Sequence, residues 1–163
     1  MSTSRYIKKL KTFAAMSHSL NDLSTCKRTS VSAIIFPIDC SQVYSIGYNG
    51  PSAGLSNESC TNIKDHCGCV HAEINALIKF SPMGAKPSLL YCDTMPCVRC
   101  ASAILNCDKV IGVLWKDPYR NKLGEDLLRK TLRIHVINII ALNICSGVIN
   151  DWISMSKPCN ASM

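Results

Sequence analysis

The 163-residue chain has no run of eighteen apolar residues. The closest stretch, Val136 to Ile149, is broken by Asn138, Asn143, Ser146 and Gly147, so no membrane span is expected. Met1 to Lys11 is polar and basic and lacks the apolar segment of a secretion signal. Aromatic residues make up only 6%, and acidic residues are few: 11 Asp+Glu against 18 Lys+Arg, a formal net charge of +7. The positive charge is spread out, densest at Lys8, Lys9, Lys11 and at Arg129, Lys130, Arg133. Its sign suits an anionic ligand and equally an ordinary basic surface. There is no internal repeat and no low-complexity linker. With 47% hydrophobic residues, disorder is excluded, and the length fits one domain with a real core.

What the chain has in excess is cysteine, eleven in all. An odd number argues against a fully paired disulfide framework. A cytoplasmic, reduced chain rich in thiols points to metal or catalysis before disulfides.

Apolar spacing predicts a first amphipathic helix over residues 4–20. Val31 to Phe36 and Gln42 to Ile46 read as a β-hairpin turned by Pro37 and Asp39. A loop from Gly47 to Val70 follows, longer than a compact domain tolerates without a function or a staple. His71 to Phe80 reads as a mostly buried helix, Ser88 to Cys92 as a strand and Cys97 to Cys107 as a helix. Lys109 to Trp115 is a continuous buried strand, Lys122 to Leu132 a helix and Arg133 to Ile140 a last strand. The order β-β-α-β-α-β-α-β indicates an α/β sandwich, with helices packed on a mixed sheet. Residues 1–139 form the expected domain and 140–163 a C-terminal extension. Ile139 at its border, and within it Ile140, Leu142, Ile144, Val148, Ile149, Trp152 and Ile153, suit packing on the chain itself or on a neighbour.

His71-Ala72-Glu73 and Pro96-Cys97-Val98-Arg99-Cys100 carry the chemistry. Each opens a predicted helix just after a loop. Two thiols three residues apart share one side of a helix start, where the positive helix end favours thiolate. One His and two Cys make three zinc ligands; a structural zinc takes four, so a fourth position stays open for water. Zinc lowers the pKa of such a water toward neutrality. Glu73, two residues beyond His71, points elsewhere and is placed to shuttle protons beside the metal. A redox pair or a structural zinc pair at Cys97 and Cys100 is the plainer alternative.

H-x-E followed by P-C-x-x-C resembles the signature of zinc nucleobase deaminases. The likeness extends over roughly residues 5 to 139. Thr25 to Val31 looks like the approach to the first strand of deoxycytidylate deaminases, Gly47-Tyr48-Asn49-Gly50-Pro51-Ser52-Ala53-Gly54 like their G-Y-N-G-x-x-A-G loop, and His71 to Ala76 like their H-A-E-x-N-A helix. The resemblance implies a cytidine deaminase-like three-layer α/β/α sandwich around a five-stranded mixed sheet. It implies hydrolytic deamination of dCMP to dUMP with loss of ammonia, supplying dUMP for thymidylate synthesis. Activated water would attack C4 of cytosine, with Glu73 moving its proton to N3 and then helping ammonia leave. Ala72 and the loop before Cys97 would hold the base edge, and Asn49 the deoxyribose or phosphate end. Arg28 and Lys27 would take the phosphate, Arg by its bidentate geometry, and Tyr119 would close over the substrate. Control by dCTP as activator and dTTP as inhibitor, with Mg2+ accompanying the triphosphate, would involve Gly47, Tyr48, Asn49, Gly50 and Gly54. The resemblance also implies a homo-oligomer, a hexamer in relatives.

Four further cysteines, Cys26, Cys60, Cys67 and Cys69, surround the long loop together with His66. A tetrahedral structural zinc held by Cys26, Cys60, Cys69 and either His66 or Cys67 would staple that loop. Cys67 and Cys69 stand so close that one side chain is expected to turn away. Free thiols or a disulfide are the alternatives. Cys40 and Cys92 read as small core residues in apolar strands, and Cys107, Cys145 and Cys159 as unpaired. Two other functions stay open: a bifunctional dCMP/dCTP deaminase, and a polynucleotide deaminase acting on tRNA or single-stranded DNA. A non-enzymatic zinc-stapled module is disfavoured by Glu73, which a structural zinc does not need.

Overall fold

A computed structural model describes residues 1–63 and 67–156. The elements run α1 (Thr3–Ser19), β1 (Ser32–Pro37), β2 (Ser45–Tyr48), α2 (Ala72–Lys79), β3 (Ser88–Thr94), α3 (Val98–Leu105), β4 (Val110–Asp117), α4 (Leu123–Arg129), β5 (His135–Asn138) and α5 (Ser146–Met155). The five strands form one mixed sheet in the order β2-β1-β3-β4-β5. β1 runs antiparallel to both β2 and β3, while β3, β4 and β5 are parallel.

The pleat sorts side chains to two cores. Ile34, Phe36, Leu89, Tyr91, Leu114 and Ile137 meet Tyr6 and Leu10 of α1 and Trp152 of α5. Ala33, Ile35, Leu90, Cys92, Val113 and Val136 meet Ala72 and Ala76 of α2, Ala101 and Ile104 of α3, and Leu128 of α4. Strands buried on both faces explain their near-continuous apolar sequences. The result is the three-layer α/β/α sandwich that the sequence implied.

Several boundaries differ from the sequence reading. β2 falls at Ser45–Tyr48, later than Gln42, because the turn after β1 extends through Asp39 and Cys40. Cys40 is buried as expected, yet it lies in that turn, with φ of 50°, rather than in a strand. β5 stops at Asn138, whose side chain accepts from Ile140 N at 2.8 Å and turns the chain into a 3-10 segment. The following α5 packs on its own subunit beside α1, with Ile149 and Trp152 buried in the first core. Among the described residues, no helix is long and apolar enough to cross a membrane.

Candidate metal and catalytic site

The parallel strands β3 and β4 and helices α2 and α3 together place two helix starts side by side. His71 is the residue that precedes α2, and Cys97 the one that precedes α3. Cys100 follows one turn into α3, so its thiol comes back to the same side as Cys97. His71 Nδ1 stands 3.6 Å from Cys97 Sγ and 3.4 Å from Cys100 Sγ. All three ligand atoms lie within 4.8 Å of one another. Both thiols are buried.

The electrostatics of the cluster suit a cation. The Cys97 thiol is lowered to about 3, chiefly by the hydrogen bond from Cys100 and then by His71, against the effect of burial. Cys100 is pushed up by sharing its proton with Cys97 and by burial. Its bond to Cys97 raises the pKa of His71. One thiolate is therefore favoured before any metal is present, and a divalent ion replaces the remaining protons. Imidazole and thiolate at this spacing fit zinc, with one coordination position left open.

Glu73 lies on α2, its carboxyl in reach of the Cys100 thiol and only 4% exposed. Burial raises its pKa above the ordinary carboxylate range. A carboxyl so placed holds a proton more readily than an exposed one.

Gly47 explains why α2 can sit this close to the sheet. A Cβ there would come within 2.1 Å of Ala72 O and 2.5 Å of Ala76 N. Asn75, two residues beyond Glu73, donates through Nδ2 to Tyr48 O at 2.8 Å, and Lys79 Nζ sits 5.3 Å from the centre of the Tyr48 ring. Sequence reading passed over this role of Asn75. Its position one face away from the apolar stripe of α2 was the available signal. On the α3 side, Gly124 leaves room for Pro96 O, which a Cβ would approach to 2.0 Å.

A second cluster lies directly upstream of His71. The sulfurs of Cys26, Cys60, Cys67 and Cys69 all lie within 4.8 Å of one another. Both Cys67 and Cys69 face inward, contrary to the expectation that one turns away. Gly68 between them adopts φ of +74°, which lets two cysteines two residues apart share a side. Cys60 is lowered to about 7, first by the backbone N–H of Asn62 and then by that of Lys27, whose N lies 3.4 Å away. Asn62 reaches back from the left-handed region, φ 58°. N–H groups aimed at sulfur stabilise thiolate and suit a metal site. His66 lies outside the described residues. Val70 pairs with Gly50, so this cluster is tied to the segment that delivers His71.

The sequence profile of the cytidine and deoxycytidylate deaminase zinc-binding region matches residues 7–114. The chain belongs to this family. It is 37% identical over 99 residues to ComE operon protein 2 of Bacillus subtilis, 57% of this chain and 51% of that protein. It is 32% identical over 126 residues to deoxycytidylate deaminase of Saccharomyces cerevisiae, 71% of this chain and 38% of that one. The chain thus spans about half or less of the length of these curated relatives. The dCMP deaminase of cyanophage S-TIM5, solved with dCMP and dUMP, superposes with a TM-score of 0.66 at 26% identity, covering 78% of this chain and 94% of that one.

In this family member the remaining candidate residues have distinct surroundings. Asn49 is buried; its Oδ1 accepts from Ser24 Oγ at 2.7 Å and Val31 N at 2.8 Å, and its Nδ2 donates to Thr29 O at 2.8 Å. Asn49 therefore ties the segment before β1 to the end of β2. Lys27 is ion-paired with Glu58 at 2.6 Å, whereas Arg28 is exposed. Tyr119, half-buried against the second core, has Arg120 over its ring at 5.2 Å. Gly50 leaves room for Thr25, and Gly54 turns with φ of +86° in open space.

Proposed function

We propose that the chain deaminates dCMP hydrolytically to dUMP and ammonia. The observation that carries this reading is Glu73, a buried carboxyl set beside a three-ligand His71–Cys97–Cys100 cluster. A structural metal would have no use for it. The solved relative that holds dCMP and dUMP supports the choice of substrate.

Zinc, when bound by His71, Cys97 and Cys100, supplies Lewis acidity that lowers the pKa of a water. Glu73 would accept a proton from the attacking water as the C–O bond to C4 forms, and deliver that proton to N3 of the ring. It would then take the second proton from the hydroxyl now on C4 and pass it to the C4 amino group, so that the C–N bond breaks, ammonia leaves with its electron pair and C4–O becomes the carbonyl of dUMP. Its raised pKa suits both halves of this shuttle. The backbone at Ala72 and the turn before Cys97 hold the base edge, and Tyr119 covers it. Asn49 serves the sugar through its remaining N–H. Arg28 takes the phosphate in preference to Lys27, whose charge is already engaged by Glu58.

The second cluster holds a structural zinc through Cys26, Cys60, Cys67 and Cys69. Elemental analysis is expected to give two zinc ions per chain, falling to one in Cys60→Ser; one ion in the unaltered protein removes the structural site. Regulation by dCTP and dTTP, with Mg2+ and a hexameric assembly, rests on the Gly47 to Gly54 resemblance.

One assay tests the substrate reading: product formation from dCMP, dCTP, cytidine and single-stranded DNA, with and without added dCTP and dTTP. dCMP is the expected substrate. Turnover confined to DNA overturns the reading, and a hyperbolic curve insensitive to dCTP removes the regulation.

A further inference from the structure

On the face of the sheet away from the metal cluster, a carboxylate is buried at the end of the strand that leads to Cys97. Asp93 is only 4% exposed. Its Oδ1 accepts from Tyr91 OH at 3.0 Å, and its Oδ2 lies 2.9 Å from Ser32 Oγ, whose single proton is shared with Ser17 O at 2.5 Å. Ser32 Oγ in turn lies 3.0 Å from Ser17 Oγ at the end of α1, and His18 Nδ1 stands 3.4 Å from Asp93 Oδ1. Tyr91 and His18 are the titratable groups that these contacts bring against it.

The backbone ladder shows what this network does. Pairing between β1 and β3 stops at Ala33 opposite Cys92. One residue further on, the side-chain bond from Ser32 to Asp93 continues the connection that the backbone has dropped. On its other side the chain beyond Asp93 is held by β4 and α4: Met95 N donates to Asp117 O at 2.8 Å, and Pro96 O packs on Gly124. Pro96 has no N–H with which to fix itself. Two residues of core type at 32 and 93 would fill the space without burying a charge, which is costly unless every oxygen is satisfied. Here each oxygen is bonded, and its partners come from β1, β3 and the end of α1.

We propose that Asp93 is a positioning residue, which fixes the Thr94–Pro96 turn and so sets where Cys97 and Cys100 stand against His71. The inference concerns the metal centre, and it rests on the proposed deamination only where turnover is used to read it. Loss of the anchor lets the turn shift by fractions of an ångström, enough to misplace the ligands while still allowing them to bind.

The test uses the cobalt(II)-substituted full chain, whose thiolate-to-metal and d–d absorption bands report ligand geometry. The His71→Ala protein supplies the spectrum of the four-cysteine cluster alone, for subtraction. Asp93→Ala is expected to keep a metal ion at the catalytic centre but with shifted bands, and to lower kcat by ~10- to 100-fold with little change in KM. Ser32→Ala, which leaves the carboxylate in place and cuts the link, is expected to shift the bands in the same sense. Asp93→Asn, which keeps an acceptor oxygen, restores most of the original spectrum. If Asp93→Ala does not fold, the Ser32→Ala and Asp93→Asn spectra decide. Bands identical to those of the unaltered protein in the folded Asp93→Ala and in Ser32→Ala, with only a lowered melting temperature, overturn the proposal. A protein that fails to turn over dCMP but shows the band shifts keeps the role of Asp93 and refutes the substrate reading instead.

Discussion

Gly47 and Ala72 touch with no space for a side chain between them: a Cβ on Gly47 would lie 2.1 Å from the carbonyl oxygen of Ala72. The strand that ends in Tyr48 and the helix that carries Glu73 are thus locked together through backbone. Gly47→Ala must push α2 off the sheet, because neither Ala72 O nor Ala76 N can give way alone. We expect a destabilisation of ~2–3 kcal/mol, the upper part of the overpacking range. Metal affinity should fall with it, since His71 precedes the displaced helix. Thermal melting and metal titration of the variant check both.

Trp152 fills the space over Gly112, where an added Cβ would meet its ring at 2.6 Å, and it is fully buried. Its layer is opposite the metal cluster. Trp152→Ala should cost ~3–5 kcal/mol of folding stability, while kcat, measured where the variant is still folded, stays near the original. Denaturant midpoints and turnover numbers together separate these effects. A large loss of kcat with little loss of stability would contradict a purely structural role for Trp152.

Much of this architecture was legible in advance, and the reasons differ by residue. The grouping of His71, Cys97 and Cys100 was readable because H-x-E and P-C-x-x-C each open a predicted helix and together resemble a known signature. The burial of β4 was readable from its continuous apolar run. The joint inward turn of Cys67 and Cys69 was not, because it depends on the left-handed backbone of Gly68, which side-chain type alone does not reveal. Asp93 falls just beyond the strand read as Ser88 to Cys92, and its residue type gives no sign of burial. Its burial arises only when α1 and the start of β1 close over it, a long-range event with no local pattern.

Asp39, in the turn after β1, pairs with Lys86 and accepts from Ser41 N at 3.0 Å. Burial alone would raise its pKa, but the Lys86 and Ser41 hydrogen bonds outweigh it and hold the carboxyl below the ordinary value. A depressed folded pKa means that the contribution is present above the unfolded value of ~3.9 and is lost as pH falls through the folded one. Because the Lys86 side chain is 59% exposed, solvent screening limits the contribution to less than ~1 kcal/mol. Asp39→Asn should therefore be slightly less stable at pH 7, with the gap closing below about pH 4. Urea midpoints for both proteins across pH 2 to 7 measure it. A gap that widens on acidification would contradict the pairing.

Deamination at the His71–Cys97–Cys100 centre depends, in the proposed mechanism, on proton movement by Glu73. The most direct measurement follows dUMP and ammonia formed from dCMP by the unaltered protein and by Glu73→Gln, with metal content determined on the same samples. The unaltered protein is expected to give equal amounts of dUMP and ammonia. A loss of ~10³-fold or more is expected in the variant, with the metal retained. No dUMP from the unaltered, metal-loaded protein, or undiminished turnover by Glu73→Gln, would contradict that mechanism.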